Sequence, residues 1–267
     1  AAELPYDRRN TVMRSFPMCF RCREEYENIE NRRYHAQPDC CGDCGPRAFY
    51  LDEQGNEKEG DAFEAAQKAL AAGKILAVKG TGGIHLACDA ENEEAVKRLR
   101  ERKNRPFRPL AVMCRSQEEA ERICRLSDPE KKLLSGPARP IVLAEKRDRG
   151  AWRELSFSGR LGVMLPYTPF HELLMDGTFG GPALAVMTSA NLPGCPVLTE
   201  NKEALEALAG IADGFLLHDR PVQNRCDDSL VMEWKGREYF LRRSRGYVPA
   251  AVKLEEHVTG ILALRAE

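Results

Sequence analysis

The sequence predicts an α/β protein, an open mixed sheet with helices, preceded by a small four-cysteine finger. Two observations carry that expectation. From residue 61 onward, short apolar runs alternate with stretches of helical period. Ahead of them, five of the ten cysteines crowd between positions 19 and 44, and the other five are scattered singly.

The finger comes first. Cys19-Phe-Arg-Cys22 is one C-x2-C pair and Cys41-Gly-Asp-Cys44 a second, with 18 residues between them. Each short knuckle turns two thiolates onto one point, and two knuckles complete a tetrahedral four-sulfur set that suits Zn²⁺. Gly42 and Gly45 allow the tight turns. Cys40 and His35 are rival ligands. Cys41 is preferred because it forms the C-x2-C with Cys44, and the four-cysteine set is then complete. A closed site of this kind leaves no position for substrate, so the metal holds the fold and the chemistry lies elsewhere.

Composition sets outer limits. A chain of 267 residues has room for one large unit and a small one. Its 43% hydrophobic and 30% charged residues fit a soluble globular protein. A net charge of −1 gives no global basic field that would demand a nucleic-acid partner. No run of about 18 apolar residues marks a membrane span. The opening AAELPYDRRN lacks the regions of a signal peptide and does not start with Met, so a chain processed or excised from something longer is expected. A secreted disulfide protein is usually short and cysteine-dense throughout, so a reducing cytoplasm is the expected location.

The body reads as follows. Residues 61–73 predict a helix capped by Asp61, with Phe63, Ala66, Ala69 and Leu70 as its apolar face and Gly73 as its stop. KILAVK (74–79) is a buried strand, and a Gly-rich turn leads to a second strand within 79–90. NEEAVKRLRERK (92–103) is an exposed amphipathic helix. Strands are expected at 108–114, 139–145 and 161–166, and helices at SQEEAERICRL and SDPEKKLLSG, each with a Ser near its cap. TPFHELLMDG (168–177) is a helix with Thr as cap and Pro first. A strand follows at 182–191, then a helix at ENKEALEALAG, a strand at DGFLLHD and a hairpin at DSLVMEWKGREYFLRR.

Three stretches carry candidate chemistry. RLRERKNRPFRPL (98–110) is the densest positive run. Arg98, Arg100 and Arg102 read as a solvated helix face. Lys103 and Arg105 differ, alternating across an extended pre-proline segment before a buried strand, where cations neutralise a polyphosphate. MTSAN (187–191) ends a strand in small polar residues, and Ser189 and Asn191 there suit phosphate or sugar. KGTGGIH (79–85) matches neither a P-loop nor G-x-G-x-x-G. Its glycines admit close approach to a small planar ligand, and His85 is a candidate base. Near the end, Asp227, Asp228, Ser229, Arg242, Arg243 and Arg245 fit Mg²⁺-nucleotide chemistry and equally fit hairpin salt bridges.

Taken together, LPYDRRNTVM, FPMCFRCREEY, RRYHAQPDCCGDCGP, KGTGGIHLACDA, RKNRPFRPLAVM, MTSANLPGCPV and RCDDSLV…LRRSRGYVP resemble the central part of HypF-type carbamoyltransferases of hydrogenase maturation. The resemblance implies a second zinc-finger unit at 1–50, a YrdC-like nucleotide-binding unit of open twisted sheet at 51–254, and the start of a truncated transferase unit at 255–267. It implies that carbamate, made from carbamoyl phosphate in an acylphosphatase-like domain absent here, is joined to AMP using ATP and Mg²⁺. The carbamoyl group then passes through a further domain to the acceptor protein HypE. The K-x-R…S-x-N signature of YrdC proteins falls on Lys103, Arg105, Ser189 and Asn191. Lys103, Arg105 and His85 are thus the expected catalytic residues. Lys79, Thr81, Ser229 and Arg242 join the signature residues as expected ligand contacts. Two alternatives stand beside this reading. One is a threonylcarbamoyl-adenylate synthase of the same fold, which needs extra groups for a free amino acid. The other is a zinc-containing RNA-binding module, which the absence of aromatics interleaved with the basic run disfavours.

Overall fold

The computed structural model describes residues 4–191 and 194–252. The stretch 261–267, expected to begin a further unit, lies outside them. In the finger, two 3-10 turns, Arg8–Asn10 and Val12–Ser15, precede helix α1 (Phe20–Glu27). The Arg8 guanidinium closes this unit by donating to the carbonyls of Phe16, Gln37 and Asp39.

The body is one mixed sheet. Its strands are β1 (Ala48–Asp52), β2 (Leu76–Lys79), β3 (Ile84–Asp89), β4 (Ala111–Cys114), β5 (Cys124–Arg125) and β6 (Ile141–Lys146). The remainder are β7 (Arg160–Met164), β8 (Leu184–Ser189), β9 (Gly214–His218), β10 (Leu230–Trp234) and β11 (Arg237–Arg242). Their spatial order is β1-β9-β2-β3-β8-β4-β7-β6-β10-β11, with the short β5 paired to β6. The β2/β9, β4/β7 and β6/β10 pairs are parallel and the others antiparallel.

Helices cover the two faces unequally. On one face α3 (Glu93–Arg102), α4 (Gln117–Ile123), α5 (Asp128–Ser135) and α7 (Asn201–Ala207) bury Val96, Leu99, Ile123, Leu134 and Ala204 against Leu86, Val112, Val142 and Phe215. On the other, α2 (Ala62–Ala71) and α6 (Pro169–Met175) set Ala66, Leu70 and Leu174 on Leu76, Val78 and Ala87. Asp61, Asn92, Ser116, Ser127 and Thr168 cap their helices, and Ser127 forms a full capping box with Glu130. Each such cap contributes about 1 kcal/mol. Over β4, β7, β6 and β10 the α2/α6 face carries a cavity floored by Ala111, Ile141, Gly162 and Leu230.

The expected elements form, with local differences. The helix expected to run through SQEEAERICRL stops at Ile123, because Cys124–Arg125 turns out to pair with Glu145 and Lys146. β1, which hydrophobic period did not reveal, takes the sheet edge beside β9. Among the described residues no helix is long and apolar enough to cross a membrane.

Candidate functional site

The basic run is organised by how α3 ends. Lys103 is the helix cap, with φ −83° and ψ −5°. Asn104 follows with φ +49°, in the left-handed region that Asn tolerates. The Asn104 N–H donates to Glu101 O and the Arg105 N–H to Arg100 O, at 3.0 and 2.9 Å. This is a Schellman closure. The expected extended segment is therefore wrong: the pre-proline restriction starts only at Arg105, and the helix claims Lys103. The tight reversal lets both side chains reach the end of β8.

There they meet the other half of the signature. Lys103 Nζ donates to Ser189 O (2.6 Å), Asn191 O (3.1 Å) and Asn191 Oδ1 (3.4 Å). Ser189 Oγ donates to the same Asn191 Oδ1 at 2.9 Å. Arg105 donates through Nη1 to Thr188 Oγ1 (3.0 Å) and through Nη2 to Pro109 O (2.9 Å). Burial, then the nearby Arg105 charge, lowers the Lys103 ammonium from 10.5 to about 8. Arg105 is lowered too, by burial and then by Arg108, Arg100 and Arg242. Lys103 and Arg105, half-buried and without a carboxylate partner among the described residues, are electrostatically primed for an anion.

Two adjoining hollows meet at Arg105 and Arg108. One, of about 410 Å³, is lined by Lys103, Asn104, Phe107 and Asn191. The other, of about 360 Å³, has the apolar sheet floor and a rim of His85, Thr188, Ser189, Asp227, Asp228 and Arg242. An apolar floor with a few convergent polar groups is the usual form of a small-molecule site. The β3/β8 register sets His85 directly opposite Ser189 and so joins the Gly-rich hairpin to the signature. Arg105 Nε and His85 Nδ1 are buried and have no hydrogen-bond partner among the described residues.

His85 is held from its other nitrogen. Nε2 lies 3.1 Å from Asp228 Oδ2, and Arg245 Nε donates to Asp228 Oδ1 at 2.7 Å. The Arg245 guanidinium lies over the Tyr167 ring, 3.5 Å from its centroid. Burial works to raise the Asp228 carboxyl. Hydrogen bonding and charge from His85 and Arg245 outweigh it and hold the group well below the usual range. Both Asp228 oxygens are thus engaged, one in a hydrogen bond with His85 and the other in an ion pair with Arg245.

Other expected contacts are not brought in. Lys79 is buried and points to the opposite face, where Nζ donates to Asn201 Oδ1 (2.6 Å) and His218 O (3.0 Å). Ser229 is fully buried; its Oγ accepts from Ser244 N–H (2.7 Å) and donates to Arg245 O (2.9 Å). Thr81 lines a separate small hollow with Val12 and Arg220. The glycines also serve the protein: a Cβ on Gly82 would lie 2.2 Å from Cys226 O, and one on Gly83 2.6 Å from Val197. The solvated-face reading fails for Arg100 and holds only in part for Arg98, which is half-buried, whereas Arg102 is exposed. Arg98 bonds Gly73 O, Arg102 bonds Ile211 O and Asp213, and Arg100 is buried among carbonyls. Sequence reasoning missed Thr188 and Arg108, although both stand inside the two stretches it had marked.

In the finger, the sulfurs of Cys19, Cys22, Cys41 and Cys44 all lie within 4.8 Å of one another. Cys19 to Cys41 is 3.7 Å and Cys41 to Cys44 is 3.8 Å. A disulfide would need about 2.05 Å. A tetrahedron with Zn–S arms of about 2.3 Å has edges of about 3.8 Å. The donor set and spacing therefore fit a closed structural zinc site. Cys40 and His35 are not in the cluster.

Comparisons with known proteins agree with this architecture. The profile of a family described as "Telomere recombination" (Sua5/YciO/YrdC) matches residues 68–244, and that of the HypF finger matches residues 18–51. The carbamoyltransferase HypF of Rhodobacter capsulatus is 51% identical over 253 residues, 94% of this chain and 33% of its own length. A crystal structure of full-length HypF in a phosphate- and nucleotide-bound form superposes with a TM-score of 0.86 at 44% identity, covering 92% of this chain and 32% of that one. The threonylcarbamoyl-AMP synthase of Bos taurus is 34% identical over 137 residues, 49% of this chain and 48% of its own length. The chain spans about a third of the length of the HypF relatives it matches.

Proposed function

The chain belongs to the Sua5/YciO/YrdC family, in the HypF-type form that carries a finger ahead of it, and on that premise we infer that it forms carbamoyl-adenylate from carbamate and ATP. The single observation that carries this reading is the joining of Lys103 to Ser189 and Asn191 beside Arg105 at one cavity. In the proposed reaction a carbamate oxygen attacks the α-phosphorus of ATP in line. The bond from that phosphorus to the bridging oxygen breaks, and pyrophosphate leaves. Such a step needs positioning and charge neutralisation more than covalent help from the protein. Lys103 and Arg105 take the phosphates, with Arg108 and Arg242 at the rim. Ser189 and Asn191 place the nucleotide. His85, fixed by Asp228 through Nε2, stands at the rim of the cavity at the carbamoyl end. Mg²⁺ would enter with ATP, where Asp227 at the cavity rim could help hold it, whereas both Asp228 oxygens are already engaged.

In the proposed whole protein, segments outside this chain supply carbamate from carbamoyl phosphate and pass the carbamoyl group to HypE. The units are the zinc finger, residues 1–50, the nucleotide-binding unit, 51–254, and the start of a transferase unit at 255–267. Zinc in the finger is structural. None of the ten cysteines forms a disulfide, which, with the proposed use of ATP, fits the cytoplasm.

The threonylcarbamoyl-adenylate reading rests on 34% identity over half the chain, against 51% over 94% of it for the carbamoyltransferase HypF of Rhodobacter capsulatus. The RNA-binding reading loses its main support, because the strongest basic side chains turn inward onto carbonyls. Calorimetric titration with ATP–Mg²⁺ tests the nucleotide site: binding is expected for the wild type and its loss for Lys103→Ala combined with Arg105→Ala. Unchanged binding by the double variant would contradict the assignment.

A further inference from the structure

Arg100 touches neither hollow's floor, yet the loop that forms their shared wall hangs on it. It sits in the last turn of α3 and is 6% exposed. Nη1 donates to the carbonyls of Arg105 (2.8 Å), Pro106 (3.2 Å) and Arg108 (3.1 Å). Nε donates to Glu154 O at 2.6 Å and Nη2 to Leu155 O at 3.3 Å. One planar cation thus joins two segments: 105–108, which carries Arg105 and Arg108 into the cavity, and 154–155. The second segment is itself anchored. Lys146, 1% exposed on β6, donates to Ala151 O (2.9 Å) and Ser156 O (2.6 Å). Leu110 N–H donates to Leu155 O at 2.9 Å.

The chemistry of this junction is particular to arginine. The guanidinium offers five donors in a rigid fork and keeps its charge, whereas an ammonium is a compact point charge that cannot face both segments. The 105–109 stretch forms neither helix nor strand, so it has no ladder to fix it. Among the described residues, the carbonyls of Arg105, Pro106 and Arg108 take no other hydrogen bond. Arg100 also grips the loop through its own carbonyl, which accepts from Arg105 N–H.

We propose that Arg100 is a positioning residue for the phosphate-binding loop, holding 105–108 so that Arg105 and Arg108 enter the cavity at fixed places. The proposal rests on the nucleotide reading above. Cations already in place need no reordering when the anion arrives, and that saving is read as affinity.

The test uses the full chain and titrates it with ATP–Mg²⁺. The variants are Arg100→Gln, Arg100→Lys and, for comparison, Arg102→Ala, which loses bonds to Ile211 and Asp213 outside the loop. Hydrogen exchange over 105–110 and thermal melts are recorded in parallel. Arg100→Gln is expected to bind ATP about tenfold more weakly or worse. Exchange should rise over 105–110 and not in β2 or β8, and Arg100→Lys should recover only part of the affinity. Arg102→Ala is expected to melt lower and to keep wild-type affinity, which separates positioning from general destabilisation. Wild-type ATP affinity in both Arg100 variants, with unchanged loop exchange, overturns the proposal. A wild-type chain that binds no ATP overturns the nucleotide reading itself and this one with it.

Discussion

The ammonium of Lys103 lies 2.6 Å from the carbonyl oxygen of Ser189, a bond between residues 86 positions apart in the chain. It closes the end of α3 onto the end of β8 and makes the two halves of the signature one surface. Lys103 therefore has two tasks, to complete the cleft and to present a charge in it.

Those two tasks predict a pH dependence. The folded-state value of Lys103 is lowered from 10.5 to about 8, chiefly by burial. A base lowered on folding binds fewer protons folded than unfolded between those values. Its burial cost is thus fully present below about pH 8 and is relieved as pH rises toward 10.5. ATP affinity should move the other way, falling above about pH 8 as the charge is lost. Titrations across pH 7–10 check this; Lys103→Arg should flatten the fall, because a guanidinium stays charged throughout.

Ser229→Ala should separate scaffold from site. The hydroxyl is fully buried and makes two hydrogen bonds to the 244–245 backbone. Its removal should cost about 1–3 kcal/mol of stability and leave ATP affinity at the wild-type level. Denaturant unfolding and calorimetry read the two effects apart.

Asp228→Asn should be costlier. The carboxylate sits between His85 and Arg245 and is nearly buried, so breaking the pair strands a cation and should cost about 3 kcal/mol or more. Since Asp228 is held below its ordinary 3.8, its contribution is present above that value and is lost as pH falls through the lowered one. Acid unfolding of the wild type should thus be steeper than that of the variant. Equal acid profiles would mean that the pair does not carry this linkage.

The finger should lose its metal when Cys41 is replaced and keep it when Cys40 is. Metal analysis of Cys41→Ser and Cys40→Ser decides this, with one zinc per wild-type chain expected. The opposite result would move the fourth ligand to Cys40. Chelation should lower the thermal stability of residues 4–44 in particular, because a closed zinc site contributes folding energy directly.

Much of this was legible in the sequence, and the failures share a cause. Helix periodicity, caps such as Asp61 and Thr168, and the paired C-x2-C spacing are local, so they were readable from neighbours alone. The signature residues were readable because their chemistry and their position at element ends agree. Arg100 and Lys79 were not, because sequence shows a long cation's charge and not the carbonyls it folds back to meet. Ser229 looked like a ligand contact for the same reason: its partners at 244 and 245 come from the far side of a hairpin. Gly82 and Gly83 were rightly marked as close-approach residues, but what approaches them is the chain itself at Cys226 and Val197. β1 was hidden because an edge strand flanked by polar turns has no strong period of its own.

The central claim is that this cleft adenylates carbamate, and exchange of labelled pyrophosphate into ATP tests it most directly. Carbamate is supplied from ammonium bicarbonate, with bicarbonate plus L-threonine as the competing acceptor mixture. The account predicts exchange that requires Mg²⁺ and carbamate, is indifferent to threonine, and is lost in Lys103→Ala and Arg105→Ala. Exchange that appears only with threonine, or that survives both substitutions, would contradict it.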